Sequence, residues 1–329
     1  MKKIATVFLV IFIICGPVFA QKSQKAKIGI MAPSAKQGWT AGVGWWTNET
    51  VNNLKKIAGD RLDFRVIFSA NTAQQLKDLD SLASWGMNFL VLFPFDSAPL
   101  TQPVKQLQAK GVRCIVVEQG LTDTYFGYVN VTGDNPGMGR IAGQWLARTM
   151  KAEGLSNYVA IGGVQGSIDT QRMSSFFTEM NRDPSLRNLL GGNQYEFGHW
   201  VALDAQRVMQ GYLSRYPRIE AVFCQEDDMV PGVMQAIREA RRADIKIVLG
   251  GAGSKVVYKM IMDGNPMVRA SALYNPSIMY DGIMYAADVA RGLKSDAFHY
   301  TPSVTKVVVP PGIVDKNNVR QFYYAKSPY

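Results

Sequence analysis

The sequence predicts an α/β protein of two doubly wound lobes, and three observations predict it. Apolar runs of strand length alternate with helical patterns along nearly the whole chain. The runs are continuously apolar, which marks parallel sheets covered on both faces. The number of these repeats, within about 309 residues left after a removable leader, is too high for one open sheet of ordinary size.

Taken in order, the chain opens on "MKK", the apolar run "IATVFLVIFII" and then "CGPVFA". That is a positive start, an apolar stretch too short to span a bilayer, and a small-residue site ending at Ala20. Residues 1–20 are therefore expected to be a cleaved signal peptide, and the mature chain to be exported to the periplasm. Ile14 is bulky where a lipoprotein signal carries a small residue, so Cys15 is not read as a lipid anchor. "KIGIMA" is the first strand. The helix after it begins with "GWTAGVGWW", three tryptophans in nine residues. On a helix, Val43, Trp46, Leu54 and Ile57 share one stripe, so Trp46 is expected in the core. Trp45 lies opposite, under a neighbouring loop. Trp39 sits in the first turn, at the sheet edge.

The strands "LDFRVIF", "NFLVLFP" and "VRCIVVE" follow, with helical patterns at 72–85 and 98–110. "VNVTGDNPG" at 129–137 reads as the break between halves, with an Asp/Asn cap before a helix at 134–151. The second half carries "YVAIGGV", "EAVFCQ", "IKIVLGG" and "MVRASAL", with helical patterns at 170–182, 202–215, 229–241 and 254–263. Such alternation builds right-handed βαβ units.

Composition narrows the function. The formal charge of +10 falls to +8 without Lys2 and Lys3, and the basic residues are scattered among acids, as in "REARRADIK". With no basic stripe interleaved with aromatics, nucleic acid is not an expected partner. Cys114 and Cys224 lie in apolar strand runs of different halves and read as buried thiols. No Gly-x-Ser-x-Gly elbow and no phosphate loop ending in Gly-Lys-Ser/Thr occur. "GGAGS" lacks the third glycine of a dinucleotide turn. His199 and His299 show no metal-ligand spacing, so neither cofactor nor metal is expected.

In open α/β sheets, ligands bind beyond the carboxyl ends of the strands. The loops there are "PSAKQGW", "PFDSAP", "EQG", "GVQGSIDTQR", "QEDDM", "GGAGS" and "LYNPS". "DNPGMGRIAGQWLA", "PRIEAVFCQEDDMVPGVMQAI", "MVRASALYNPSIMYDGI" and "VVVPPGIVDKNNVRQFYY" together give the chain a resemblance. It resembles the periplasmic sugar-binding proteins of the ribose-binding type, the type I two-lobed receptors that serve ABC importers and sometimes chemoreceptors. The resemblance covers nearly all of the mature chain. It implies two Rossmann-like lobes joined by a three-segment hinge, with crossings near 130–134, 273–276 and 301–304. The first lobe would be 21–132 plus 275–302, and the second 133–274 plus 303–329.

The resemblance also implies a site. Trp39 takes the place of the family's first-loop aromatic, with Gln37 as the amide before it. Glu118 stands where many relatives have Asp. Asp134 falls on the family's Asp-Asn pair, Arg172 on the arginine of the second-lobe helix, and Trp200 on the facing aromatic. Glu226 replaces an Asn, Ala252 an Asp and Tyr274 a Gln. Rings covering apolar sugar faces, carboxylates accepting hydroxyl protons and a guanidinium fork on an open cleft wall suit a monosaccharide or sugar alcohol. The implied partner is a membrane ABC permease, with a chemoreceptor or sensor kinase as the alternative, and the expected assembly is a monomer. Two readings compete. A secreted sugar-acting enzyme could use the paired acids. A regulator would carry a DNA-binding unit where this chain has its leader.

Overall fold

The computed structural model describes residues 25–295 and 304–329. The expected signal peptide, most of the expected third crossing and His299 lie outside these residues.

The first sheet is assembled from β1 (Ala26–Pro33), β2 (Leu62–Ser69), β3 (Phe89–Leu92), β4 (Arg113–Val117), β5 (Val129–Gly133) and β12 (Thr305–Val309). Its spatial order is β2-β1-β3-β4-β5-β12, with every pair parallel. The continuous apolar runs have their expected cause. Phe89 and Val91 face α1 (Gly38–Ala58) and α9 (Ile278–Ala290), in one cluster with Val43, Leu54 and Ile283. Leu90 and Leu92 point the other way, among Leu79 and Leu82 of α2 (Thr72–Trp85) and Leu100 and Val104 of α3 (Ser97–Ala109).

The second sheet holds β6 (Asn157–Gly162), β7 (Arg187–Asn188), β9 (Ala221–Cys224), β10 (Ile247–Ala252), β11 (Val268–Leu273) and β13 (Gly312–Asp315). Its order is β7-β6-β9-β10-β11-β13, with β8 (Glu196–Phe197) also on β6 and only β13 antiparallel to its neighbour. On one face lie α4 (Asn135–Ala152) and α5 (Ser167–Met180), around Phe176, Phe177 and Phe223. On the other lie α6 (Ala202–Arg215), α7 (Val230–Glu239) and α8 (Lys255–Met262). Among the described residues the two cysteine thiols are free and buried, Cys114 in β4 and Cys224 in β9.

The chain passes between the sheets after β5, between β11 and α9, and at Pro310–Pro311 between β12 and β13. The last position differs from the expected 301–304, and the boundary at 303 moves with it. "TKVVV" pairs along β5 in the first sheet, and two prolines, lacking N–H donors and fixed in φ, end that pairing. β5 also lies where the sequence suggested only a break. Its polar Asn130 is buried, with its amide donating to the Val116 and Glu118 carbonyls at 3.0 and 3.2 Å.

The tryptophan stripe is corrected as well. The buried side of α1 runs through Val43, Thr47, Val51, Leu54 and Ala58, while Ile57 is 65% exposed. Trp46 is half-buried. Its ring meets Trp45 edge-on at 5.0 Å and Tyr324 at 4.8 Å. It packs under the segment 323–329 that follows α10 (Val319–Phe322), as Trp45 does.

Candidate functional site

In the first sheet the strand order reverses between β1 and β3, and in the second between β6 and β9. Loops leaving the two edges of such a switch point diverge and open a crevice. The two crevices face each other across a cleft of about 520 Å³, within the range of small-molecule sites. The first lobe lines it with Gln37, Gly38 and Trp39, with Phe93 and Phe95, and with Glu118. The second lobe contributes Arg172, Trp200, Glu226, Asp228 and Ala252, and Tyr274 closes the hinge side.

Tyr274 ties the lobes together. Its hydroxyl donates toward both Glu118 oxygens at 2.7 Å and accepts from the Asn135 amide at 3.3 Å. Its carbonyl accepts the Trp39 indole N–H at 2.8 Å. The Arg172 guanidinium lies 4.4 Å from the centre of its ring. Arg172 is itself 5% exposed, and its Nε donates to Asn135 Oδ1 at 2.7 Å.

The second-lobe wall rests on a buried polar network. The Trp200 indole donates to Gln225 at 2.9 Å, and the Gln225 amide donates to Asp169, one helical turn before Arg172. Asp169 also accepts from the Gly163 N–H at 2.7 Å and the Tyr195 hydroxyl at 2.6 Å. Gly163 has to be glycine, because a Cβ there would stand 1.9 Å from the Trp200 nitrogen. Asp227 points away from the cleft and accepts from the Ser254 N–H at 2.6 Å and the Ser271 hydroxyl at 3.0 Å. That anchor leaves its neighbours Glu226 and Asp228 on the cleft side.

Glu118, Trp200 and Ala252 have φ of 69°, 59° and 70°. Left-handed backbone at non-glycine residues costs on the order of 1–3 kcal/mol each and persists only where the surroundings impose it. Three such residues on one cleft mark its edges as held in place.

Asp134 does not belong to this set. It caps α4, accepting the Gly137 N–H at 2.7 Å, and its neighbour Asn135 reaches Arg172 and Tyr274 instead. His199 is exposed and turns to Asp204 at 3.2 Å. Among the described residues, no group of His, Cys, Asp and Glu is placed to hold a metal. Sequence reasoning missed Phe93, Asp228 and Asn135 as site residues. Asp228 stands in a loop it had singled out, Phe93 ends the strand run just before another, and Asn135 follows the capping Asp134.

A family model described as the periplasmic binding protein domain matches residues 28–294. The chain belongs to that family. This periplasmic binding protein is 26% identical to the ribose import binding protein of Escherichia coli, over 76% of this chain and 82% of that one. It is 26% identical to the xylitol-binding protein of Mycolicibacterium smegmatis, over 87% of this chain and 79% of that one. In fold it matches a solute-binding protein of Actinobacillus succinogenes solved with D-allose, with a TM-score of 0.74 and 18% identity. That match covers 91% of this chain and 100% of the other. It also matches a solute-binding protein of Mycobacterium smegmatis solved with glycerol, with a TM-score of 0.68 and 24% identity. Here 92% of this chain and 99% of the other are covered. The architecture is that of type I periplasmic binding proteins.

The cleft of this binding protein is unbalanced in charge. Burial pushes Glu118 above its ordinary range, against the Tyr274 hydroxyl and the Arg172 charge. Burial and the neighbouring Asp228 push Glu226 up to about 8, and burial pushes Asp228 up to about 6. The folded protein therefore holds protons that the unfolded chain has released. That contribution is full below the unfolded carboxylate range and is lost as pH rises toward 8. Urea melts of the ligand-free protein should show stability falling between pH 5 and 8, by up to about 1.4 kcal/mol per pH unit for each proton held. Glu226→Gln should flatten the upper part of that slope. Equal slopes in both proteins would show that Glu226 is not the group responsible.

Proposed function

We propose that this chain is an extracytoplasmic solute receptor that binds a neutral monosaccharide or sugar alcohol in the cleft and delivers it to an ABC import permease. The observation that carries the reading is the lining. Trp39 and Phe93 on one lobe face Trp200 on the other, and between them Arg172 is flanked by Glu118, Glu226 and Asp228. Rings offer flat cover for the C–H faces of a polyol. Carboxylates accept its hydroxyl protons and the guanidinium donates to its oxygens. Asp228 alone already offers a counter-charge to Arg172 at neutral pH, which leaves no spare positive charge for a sugar acid and favours a neutral solute. The names of the ribose- and xylitol-binding relatives support the same class. A binding role, not catalysis, agrees with that family. The leader-like start of the sequence supports export to the periplasm.

Two lobes joined by three chain passages suit hinge closure around a ligand. A thermal-shift screen of pentoses, hexoses, polyols and sugar acids tests the reading. A solute at about a hundred times its Kd adds about 2.7 kcal/mol to the folded state, which raises Tm by several degrees. The expected outcome is a shift from neutral polyols and none from sugar acids. The bound solute should be recovered unchanged, and X-ray scattering should show a smaller radius of gyration in the complex. A panel without any shift, or steady conversion of the solute, would overturn the proposal.

A further inference from the structure

Residues 323–329 leave the second lobe and run into the seam between the two. Tyr324 packs against Trp45 and Trp46 of α1, with ring centres 5.9 and 4.8 Å apart. The Ser327 carbonyl accepts from Lys255 of α8. Tyr329 is 6% exposed, and its Cβ lies so close to Gly42 of α1 that a side chain at Gly42 would come within 3.0 Å of it. Its hydroxyl donates to Glu226 Oε1 at 2.6 Å.

The geometry points to Tyr329 as a positioning residue of the cleft: its hydroxyl occupies one oxygen of Glu226 and turns the other toward the bound solute. The inference rests on the cleft being the binding site. A free carboxylate between two lobes could swing and accept from hydroxyls at several angles. One oxygen held by Tyr329 leaves a single direction for the other, which accepts when Glu226 is ionised and donates when it holds its proton, and either way favours polyols with a hydroxyl at that point. The pin comes from a segment that also packs on α1, so the acceptor is referenced to the first lobe although Glu226 belongs to the second. The segment lies beyond the stretch matched by the family model, residues 28–294.

The test needs no solute, so its outcome is separate from that of the receptor reading. Protein labelled with 13C at glutamate carboxyl carbons is titrated by NMR, and the Glu226 signal is assigned by its loss in Glu226→Gln. Groups facing Glu226 are Arg172 from α5, Asp227 and Asp228 on its own loop, and Tyr329. Tyr329→Phe keeps the ring in its pocket and removes only the donor. A hydrogen bond to a carboxylate favours its charged form, so the Glu226 midpoint should rise by about 0.5–1 pH unit in that variant. Tyr274→Phe, which removes the donor on Glu118, should move the Glu118 signal and leave Glu226 in place. An unchanged Glu226 midpoint in Tyr329→Phe, or an equal rise in Tyr274→Phe, would overturn the assignment.

Discussion

Arg172→Ala should lose both solute binding and, at pH 8, part of the folding stability. Removing a charged donor to the solute costs about 1.5–3 kcal/mol, or one to two decades in Kd. The stability effect comes from elsewhere. Arg172 is buried beside Glu118 and Glu226, and its charge favours the ionised form of both. Leaving ionised buried carboxylates without a nearby positive charge costs stability, with the about 3–5 kcal/mol of a broken buried ion pair as its upper bound. The loss should be largest at pH 8 and shrink toward pH 5, where the acids take up protons and no longer need the guanidinium. Arg172→Lys should recover part of it, since an ammonium supplies charge without the fork that meets Asn135. Urea melts at the two pH values and calorimetry with a solute found in the screen would measure both effects. Wild-type stability at pH 8 in Arg172→Ala would show that the acids are balanced by something else. The sequence reading expects folding stability to change little in this variant if the side chain faces an open cleft, and the side chain is buried instead.

Trp39→Ala should cost about 3 kcal/mol of stability, the low end for an aromatic truncation because the ring is only half-buried. The ring packs against Phe93 at 6.1 Å and Tyr274 at 6.0 Å, and its N–H serves the Tyr274 carbonyl. It touches the cores of both lobes. Solute affinity should fall too, since the ring lines the cleft. Trp39→Phe should be milder, keeping a ring while leaving that carbonyl without its donor. Trp46→Ala should cost only about 1–2 kcal/mol, as suits a half-buried ring, with affinity unchanged. Melts followed by circular dichroism avoid the change in fluorescence. If Trp46→Ala proves the more damaging for folding, or alone abolishes binding, the two rings have been assigned the wrong way round.

What the sequence shows of this protein follows the range of the interactions. Strands such as "NFLVLFP" and "IKIVLGG" are legible because burial on both faces leaves a continuous apolar run. The loops after them are legible because a parallel sheet puts ligand-facing residues at one edge. Trp39, Arg172, Glu118 and Glu226 were singled out on that ground, aided by the family resemblance, and they line one cleft. β5 was hidden because Asn130 satisfies its amide on the Val116 and Glu118 carbonyls, partners that local pattern does not show. β12 was assigned to the wrong lobe because a strand pairing across 176 positions, Thr305 with Val129, leaves no local trace. Asp134 was misread for the opposite reason. The motif Asp-Asn-Pro-Gly is a helix cap first, and only the neighbouring amide reaches the site. The Tyr329–Glu226 contact spans 103 positions and has no periodicity that could announce it.

The two thiols have a practical consequence. Cys114 and Cys224 are each fully shielded from solvent, one in each sheet, and burial pushes the Cys114 thiol up to about 12. Neither can react while its own sheet is intact. Trapping with an alkylating reagent under native conditions therefore counts the openings of each half separately. Variants keeping only one of these two thiols would time one half against the other, so the chain carries a built-in clock on each side of its seam.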